Sequence, residues 1–130
     1  MSASVLAGAG GPGAVAAAAA ALGLAAVQGQ FDAYNAQDLD LFMTFYADDC
    51  VVADLNGAVT SNGAAAIRER YAAMFAKFPQ NKAVLVNRIV VGDTIVDHED
   101  VSREPGGERF QVAAIYTLKG GKIARVDFAR

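Results

Sequence analysis

The stretch "IVDHEDV" (95–101) holds the only histidine of the chain among three carboxylates, Asp97, Glu99 and Asp100. His98 has the one side chain whose ordinary pKa lies near neutrality, which makes it the natural proton shuttle. A carboxylate turned into an apolar pocket has its pKa raised and can take a proton from carbon. The flanking isoleucine and valines predict a strand, and alternation divides the four groups between its faces. His98 shares one face with Val96, Asp100 and Ser102, whereas Asp97 and Glu99 share the other with Ile95 and Val101. A single site built from all four is therefore excluded, and either His98 or Glu99 looks inward. The bland readings are a surface or interface histidine for His98, and for Glu99 an exposed cross-strand partner of Arg109 or Arg88. Asp54 ends the Val-rich run "CVVADL" (50–55) and is a further candidate base, its plain alternative being a cap on the Asn56-Gly57 turn.

Other chemistries find little support. At most two of the four groups in 97–100 can converge, and with no third spaced ligand they predict no metal site. "GAGGPG" (8–13) fits the spacing of a dinucleotide-binding loop, but only "SVLA" precedes it and no second strand follows the helix. Pro12 also removes a backbone N–H that could hold phosphate. No cofactor is expected. The single cysteine, Cys50, excludes an intrachain disulfide and reads as a buried, inert thiol.

The elements that must position these residues follow from periodicity. Leu24, Val27, Phe31 and Tyr34 predict a first helix ending near Asn35. Asp38 caps a second, with Leu39, Phe42, Met43 and Tyr46 facing inward. Strands at 50–55 and 58–61 are joined by Asn56-Gly57, a hairpin signal. Ile67, Tyr71, Met74, Phe75 and Phe78 form the stripe of a third helix. Strands at 82–91, 94–102, 109–118 and 122–128 then meander through turns at Gly92-Asp93, "EPGGE" and Gly120-Gly121. The order α-α-β-β-α-β-β-β-β predicts an α+β domain over residues 14–130, after a flexible tail at 1–13. Helices on one face of a curved, mostly antiparallel sheet make a cone with a pocket inside.

With 130 residues, 54% hydrophobic, the chain can fill one core. A net charge of −3 gives no electrostatic case for nucleic acid. No Lys or Arg precedes Arg68, and the apolar run "AVAAAAAALGLAAV" lacks the basic flank of a secretory signal and looks too short and Ala-rich to span a bilayer. A cytoplasmic location without membrane contact is the expectation. Ala113 and Ile115, between Gln111 and Thr117, suggest an apolar sheet face suited to a homodimer.

"YNAQDLDLFMTFYADDCVVADLNG" followed by "GAAAIRERYAAMF" resembles the nuclear transport factor 2-like superfamily, over roughly residues 25–128. Its members include ketosteroid isomerase, SnoaL-like polyketide cyclases and limonene epoxide hydrolase. The resemblance implies the cone-shaped fold and a small hydrophobic carbonyl substrate. It puts Asp54 at the general-base position of ketosteroid isomerase, with Tyr71 and Tyr46 at hydrogen-bonding tyrosine positions. Two departures stand out: Gln30 occupies the oxyanion-hole tyrosine position and Ala114 that of the protonated aspartic acid. Steroid isomerisation in that form is not expected, although the Gln30 amide could still donate. Matching the Gly92-Asp93 turn favours Glu99 inside the cone. The expectation is a cofactor-free isomerase- or cyclase-type enzyme with Asp54, His98 and Glu99 as candidate catalytic groups, and with Gln30, Tyr46, Tyr71 and Tyr116 binding substrate. The alternatives are a non-catalytic ligand-binding or dimerisation module, or an epoxide hydrolase, which needs a carboxylate–Arg–carboxylate arrangement.

Overall fold

A computed structural model of the chain describes residues 12–130. Residues 8–11 of the "GAGGPG" motif and 1–11 of the proposed tail therefore lie outside the described residues, whereas Pro12 and Gly13 belong to the first helix. Pro12 begins the first helix, where a missing N–H and a fixed φ cost nothing. The element order is α1 (Pro12–Ala36), α2 (Leu39–Met43), β1 (Tyr46–Asp54), β2 (Val59–Asn62), α3 (Ala64–Lys77), β3 (Lys82–Val91), β4 (Thr94–Ser102), β5 (Arg109–Lys119) and β6 (Lys122–Ala129). The six strands form one sheet in the order β2-β1-β6-β5-β4-β3. Every neighbouring pair is antiparallel except β1 and β6. This is the α+β architecture that the periodicities predict.

One boundary differs from the expectation. Tyr46 opens β1 rather than closing α2, which stops after Met43. The i, i+4 spacing of Phe42 and Tyr46 imitates a helical stripe, yet the two rings still meet, with centroids 4.9 Å apart, across the junction.

The helices cover the inner face of the sheet. Val27, Phe42, Cys50, Ile67, Ile95, Ile123 and Val126 are fully or almost fully buried there. Tyr34, Phe42, Tyr71 and Phe75 join this core as a cluster of tilted and edge-on rings, arrangements that aromatic quadrupoles favour. Gly29 lets the Phe45 ring lie against α1: a Cβ there would lie 2.4 Å from the ring, which would have to move. Cys50 is buried and its thiol is pushed up to about 12 by desolvation, so it is unreactive near neutral pH.

Residues Gly13–Ala36 of α1 are long and apolar enough to cross a membrane by length and composition, beyond the shorter apolar run considered above. Its C-terminal half is nevertheless a wall of this core, with Ala26, Val27, Gln30 and Ala33 buried.

Strand register decides which side chains enter the cone. On β4, Ile95, Asp97, Glu99 and Val101 are buried, while His98 is exposed. Asp100 pairs at the surface with Arg109, and Gln111 donates to it. A bulge does occur, but on β3 between Leu85 and Asn87 rather than on β4. It inserts Val86 without a partner, so Asn87 pairs with His98 and Arg88 with Asp97. Were Val86 instead paired with His98 in an unbroken ladder, Arg88 would fall opposite Val96 and face outward.

Candidate active site

A cavity of about 330 Å³ opens between the inner face of the sheet, α1 and α3. This is within the size range of small-molecule sites. Its apolar lining includes Phe31, Val52, Met74, Val101, Val112 and Phe128. Of the residues singled out from the sequence, Gln30, Tyr71, Glu99 and Tyr116 line it.

Glu99 is the one acidic residue in the lining. It is 8% exposed and, among the described residues, accepts no side-chain hydrogen bond and joins no ion pair. Desolvation pushes its carboxyl up to about 7; the buried Asp97 carboxylate adds to the rise and Arg88 opposes it. An unpartnered buried carboxyl is rare in a folded core, which makes Glu99 a candidate functional group. It also carries a stability consequence. A pKa raised by folding stabilises the native state below the ordinary value near 4.5, and that stabilisation is lost as pH rises through about 7. Glu99→Gln is therefore expected to be more stable than wild type at pH 8 by about 3 kcal/mol. The two should converge near pH 4, as urea unfolding at both pH values would read.

Beside Glu99 lies a buried hydrogen-bond chain. Tyr46 donates to Gln30 Oε1 at 2.9 Å. Gln30 Nε2 donates to the Val27 carbonyl at 3.1 Å and to the Tyr116 hydroxyl oxygen at 2.9 Å. The Val27 carbonyl only accepts, which fixes the orientation of the amide. Both amide hydrogens and the amide oxygen are thus engaged, so Gln30 has no donor left for a ligand. Its effect passes through Tyr116, whose oxygen accepts from Gln30 and whose proton, among the described residues, has no acceptor. Tyr46, a substrate-binding candidate from the sequence, donates to Gln30 and is not among the residues that line the cavity. Burial raises the pKa of the Tyr46, Tyr71 and Tyr116 hydroxyls, so each keeps its proton at neutral pH. Tyr34, not singled out as a site residue from the sequence, adds a hydroxyl that accepts from Asn81 at 2.7 Å.

Asp54 does not join them. Parallel pairing puts it beside Phe128, on the inner side of β1, but at the last residue of the strand and beyond the cavity lining. Its half-exposed carboxylate takes a 3.0 Å ion pair from Arg130. A solvated, paired carboxylate lacks the desolvation a carbon-acid base needs, and the expectation of Asp54 as that base finds no support in this placement. His98 faces outward, against Gln111 Oε1, where it meets no cavity atom.

Arg88 and Asp97 lie deeper on the inner face. Arg88 Nε and Nη2 donate to the two oxygens of Asp97 at 2.6 and 2.9 Å, and Nη1 donates to Gln28 at 2.6 Å. Asp97 is fully buried. The β3 bulge brings Arg88 to the inner face of the sheet beside Asp97. Neither Arg88 nor Asp97 lines the cavity, so the carboxylate–Arg–carboxylate arrangement of an epoxide hydrolase does not form there. Among the described residues no group of three or more His, Cys, Asp or Glu side chains gathers as metal ligands.

Comparisons with known proteins agree with this architecture. The SnoaL-like domain family matches residues 27–126. An uncharacterised cystatin-fold protein from Novosphingobium aromaticivorans superposes with a TM-score of 0.78 at 34% identity, over 83% of this chain and 97% of that one. A "putative polyketide cyclase" from Sinorhizobium meliloti gives 0.69 at 30% identity, over 80% and 93%. A "putative ketosteroid isomerase" from Kribbella flavida gives 0.70 at 16% identity, over 82% and 76%, a likeness of fold. A search of curated proteins returned no significant match. The chain belongs to the SnoaL-like family, with the nuclear transport factor 2-like fold.

Proposed function

We propose that the protein is a cofactor-free enzyme that abstracts a proton next to a carbonyl group, with Glu99 as the base. The observation that carries this reading is the buried, unpaired Glu99 carboxyl facing the same cavity as Tyr116. Near neutral pH a large share of Glu99 is ionised, and its conjugate acid is only weakly acidic, so proton exchange with a carbon acid is balanced in both directions. The Glu99 carboxylate takes the α-proton, the C–H electron pair forms the carbon–carbon double bond and the carbonyl π pair moves to oxygen, giving an enolate. The Tyr116 hydroxyl donates to that oxygen, made a better donor by the hydrogen bond it accepts from Gln30. Tyr71 is a second donor within the same lining. Returning the proton from Glu99 to another carbon gives an isomerase; in a cyclase the enolate carbon attacks a second carbonyl and the resulting alkoxide takes the proton back from Glu99.

Tyr116 thus replaces the two donors missing at Gln30 and Ala114, and Glu99 takes the role first expected of Asp54. Polyketide cyclase and ketosteroid isomerase, the names of two structural neighbours, belong to this reaction class. The test is solvent-deuterium incorporation at the α-carbon of a panel of aryl and alkyl 1,3-dicarbonyl compounds. Acceleration by the wild-type protein supports the reading, and no acceleration across the panel opposes it.

The homodimer is proposed on separate grounds. Val84, Ile89 and Val91 stand on the outer face of β3, each more than half exposed, beside Val96, Ala113 and Ile115. A second copy would cover this apolar strip. Light scattering is expected to return twice the 13.5 kDa chain mass, and an Ile89→Lys variant the single mass.

A further inference from the structure

Arg68, Arg88, Arg109, Arg125 and Arg130 each hold an aspartate within ion-pair distance. Arg70 and Arg103 are the remaining arginines, and among the described residues neither holds a carboxylate. Both line the cavity, and so do Lys77 and Arg130. Four cations therefore surround a pocket whose lining contains a single carboxyl, Glu99, in a chain of net charge −3. Among the described residues, Arg70, Arg103 and Lys77 thus bring to this cavity positive charge that no ion pair offsets.

Arg103 is also held in place. Its guanidinium lies 5.2 Å from the Phe78 ring centroid and 5.0 Å from that of Phe110. Nη1 donates to Asn81 Oδ1 at 2.8 Å, and Asn81 is fully buried and anchored to Tyr34. Two rings and a neutral amide fix the group without neutralising it, leaving its other N–H groups unused by carboxylates. A planar guanidinium fixed in this manner is preorganised to bind a carboxylate through paired hydrogen bonds. Arg70 and Lys77 lie seven residues apart on α3, with Ala73 and Met74 between them in the same lining. They present two further charges along one helical face.

We propose that the ligand of this cavity is an organic carboxylate, its apolar body among Val112, Val101 and Met74 and its anionic group held by Arg103, with Arg70 and Lys77 adding attraction. This deepens the enzyme reading and rests on it for the identity of the site: the substrate is then a carbonyl compound carrying a carboxylate, whose anchoring sets the α-carbon against Glu99.

The test compares two probes of one shape, 5-phenylpentanoate and its uncharged counterpart 6-phenylhexan-2-one. Binding is followed by titration calorimetry and by the amide shifts of residues 99–103 and 112–116. The carboxylate is expected to bind about tenfold or more tightly than the ketone at low salt, with the preference shrinking as salt is raised. Arg103→Met should abolish the preference, and Arg103→Lys should restore only part of it. Arg70→Met, on the exposed side of α3, should weaken carboxylate binding without affecting the fold, so the proposal stays testable if Arg103→Met unfolds. Equal binding of both probes would overturn the carboxylate assignment while leaving the cavity as the ligand site. Failure of both to bind would overturn it together with the choice of cavity. The deuterium-exchange assay judges Glu99 separately, because an anion can bind here whether or not Glu99 moves a proton.

Discussion

Glu99→Gln is expected to lower enzyme-catalysed α-deuterium exchange by about 10²- to 10⁴-fold, the range in which a positioned general base contributes. The substitution keeps the shape and a hydrogen-bonding head group, but removes the only acidic side chain that lines the cavity. The expected loss is in kcat, with KM little changed, because the apolar lining and the cavity cations remain. Tyr116→Phe removes the donor to the enolate oxygen and should cost about 10²-fold or more in kcat. Asp54→Asn should leave exchange within a fewfold of wild type, since that carboxylate is paired with Arg130 outside the lining. A reversed pattern, with Asp54→Asn inactive and Glu99→Gln active, would return the base to the position the resemblance indicates.

Arg88→Met should destabilise the fold by about 3–5 kcal/mol, the cost of leaving one member of a buried pair without its partner. Asp97 is 0% exposed and receives two hydrogen bonds from Arg88. Removing the guanidinium strands a carboxylate beneath the cavity and also takes a hydrogen bond from Gln28. The double variant Arg88→Met with Asp97→Asn should recover most of the loss, because no charge is then left buried. Urea unfolding of the two variants would decide it. A loss below about 1 kcal/mol for Arg88→Met would mean that the pair behaves like an exposed one.

Most of the architecture is legible in the sequence because its signals are local. Alternating apolar residues mark the four late strands, and Gly92-Asp93 and Gly120-Gly121 mark their turns. Gly92, Gly120 and Gly121 indeed have positive φ, which favours glycine. The division of "IVDHEDV" into two faces is equally legible, since a strand has period two. Which face turns inward is not, because it depends on the register with β3 and β5 and on which side of the sheet the helices cover. The β3 bulge is the clearest case. Nothing in "KAVLVNRIVV" announces that Val86 is unpaired, yet that one residue turns Arg88 from solvent toward Asp97.

The placement of Asp54 was hidden for a different reason. Its strand and its resemblance to a catalytic position are both readable, but its Arg130 partner is 76 residues away and joins it only through the β1–β6 pairing. Tyr34 was masked by its place in a helical apolar stripe, which reads as core; its hydroxyl meets Asn81 only in the folded chain. In the same manner Gln30 looks like a free donor until Tyr46, Val27 and Tyr116 take up its whole amide.

The central claim is that Glu99 faces a desolvated cavity as a base poised near neutrality. The most direct measurement is the carboxyl 13C NMR titration of Glu99 in the intact protein, assigned by loss of the signal in Glu99→Gln. A midpoint near 7, at the value burial sets, is the predicted result. A midpoint near 4.5, the ordinary glutamate value, would contradict the account.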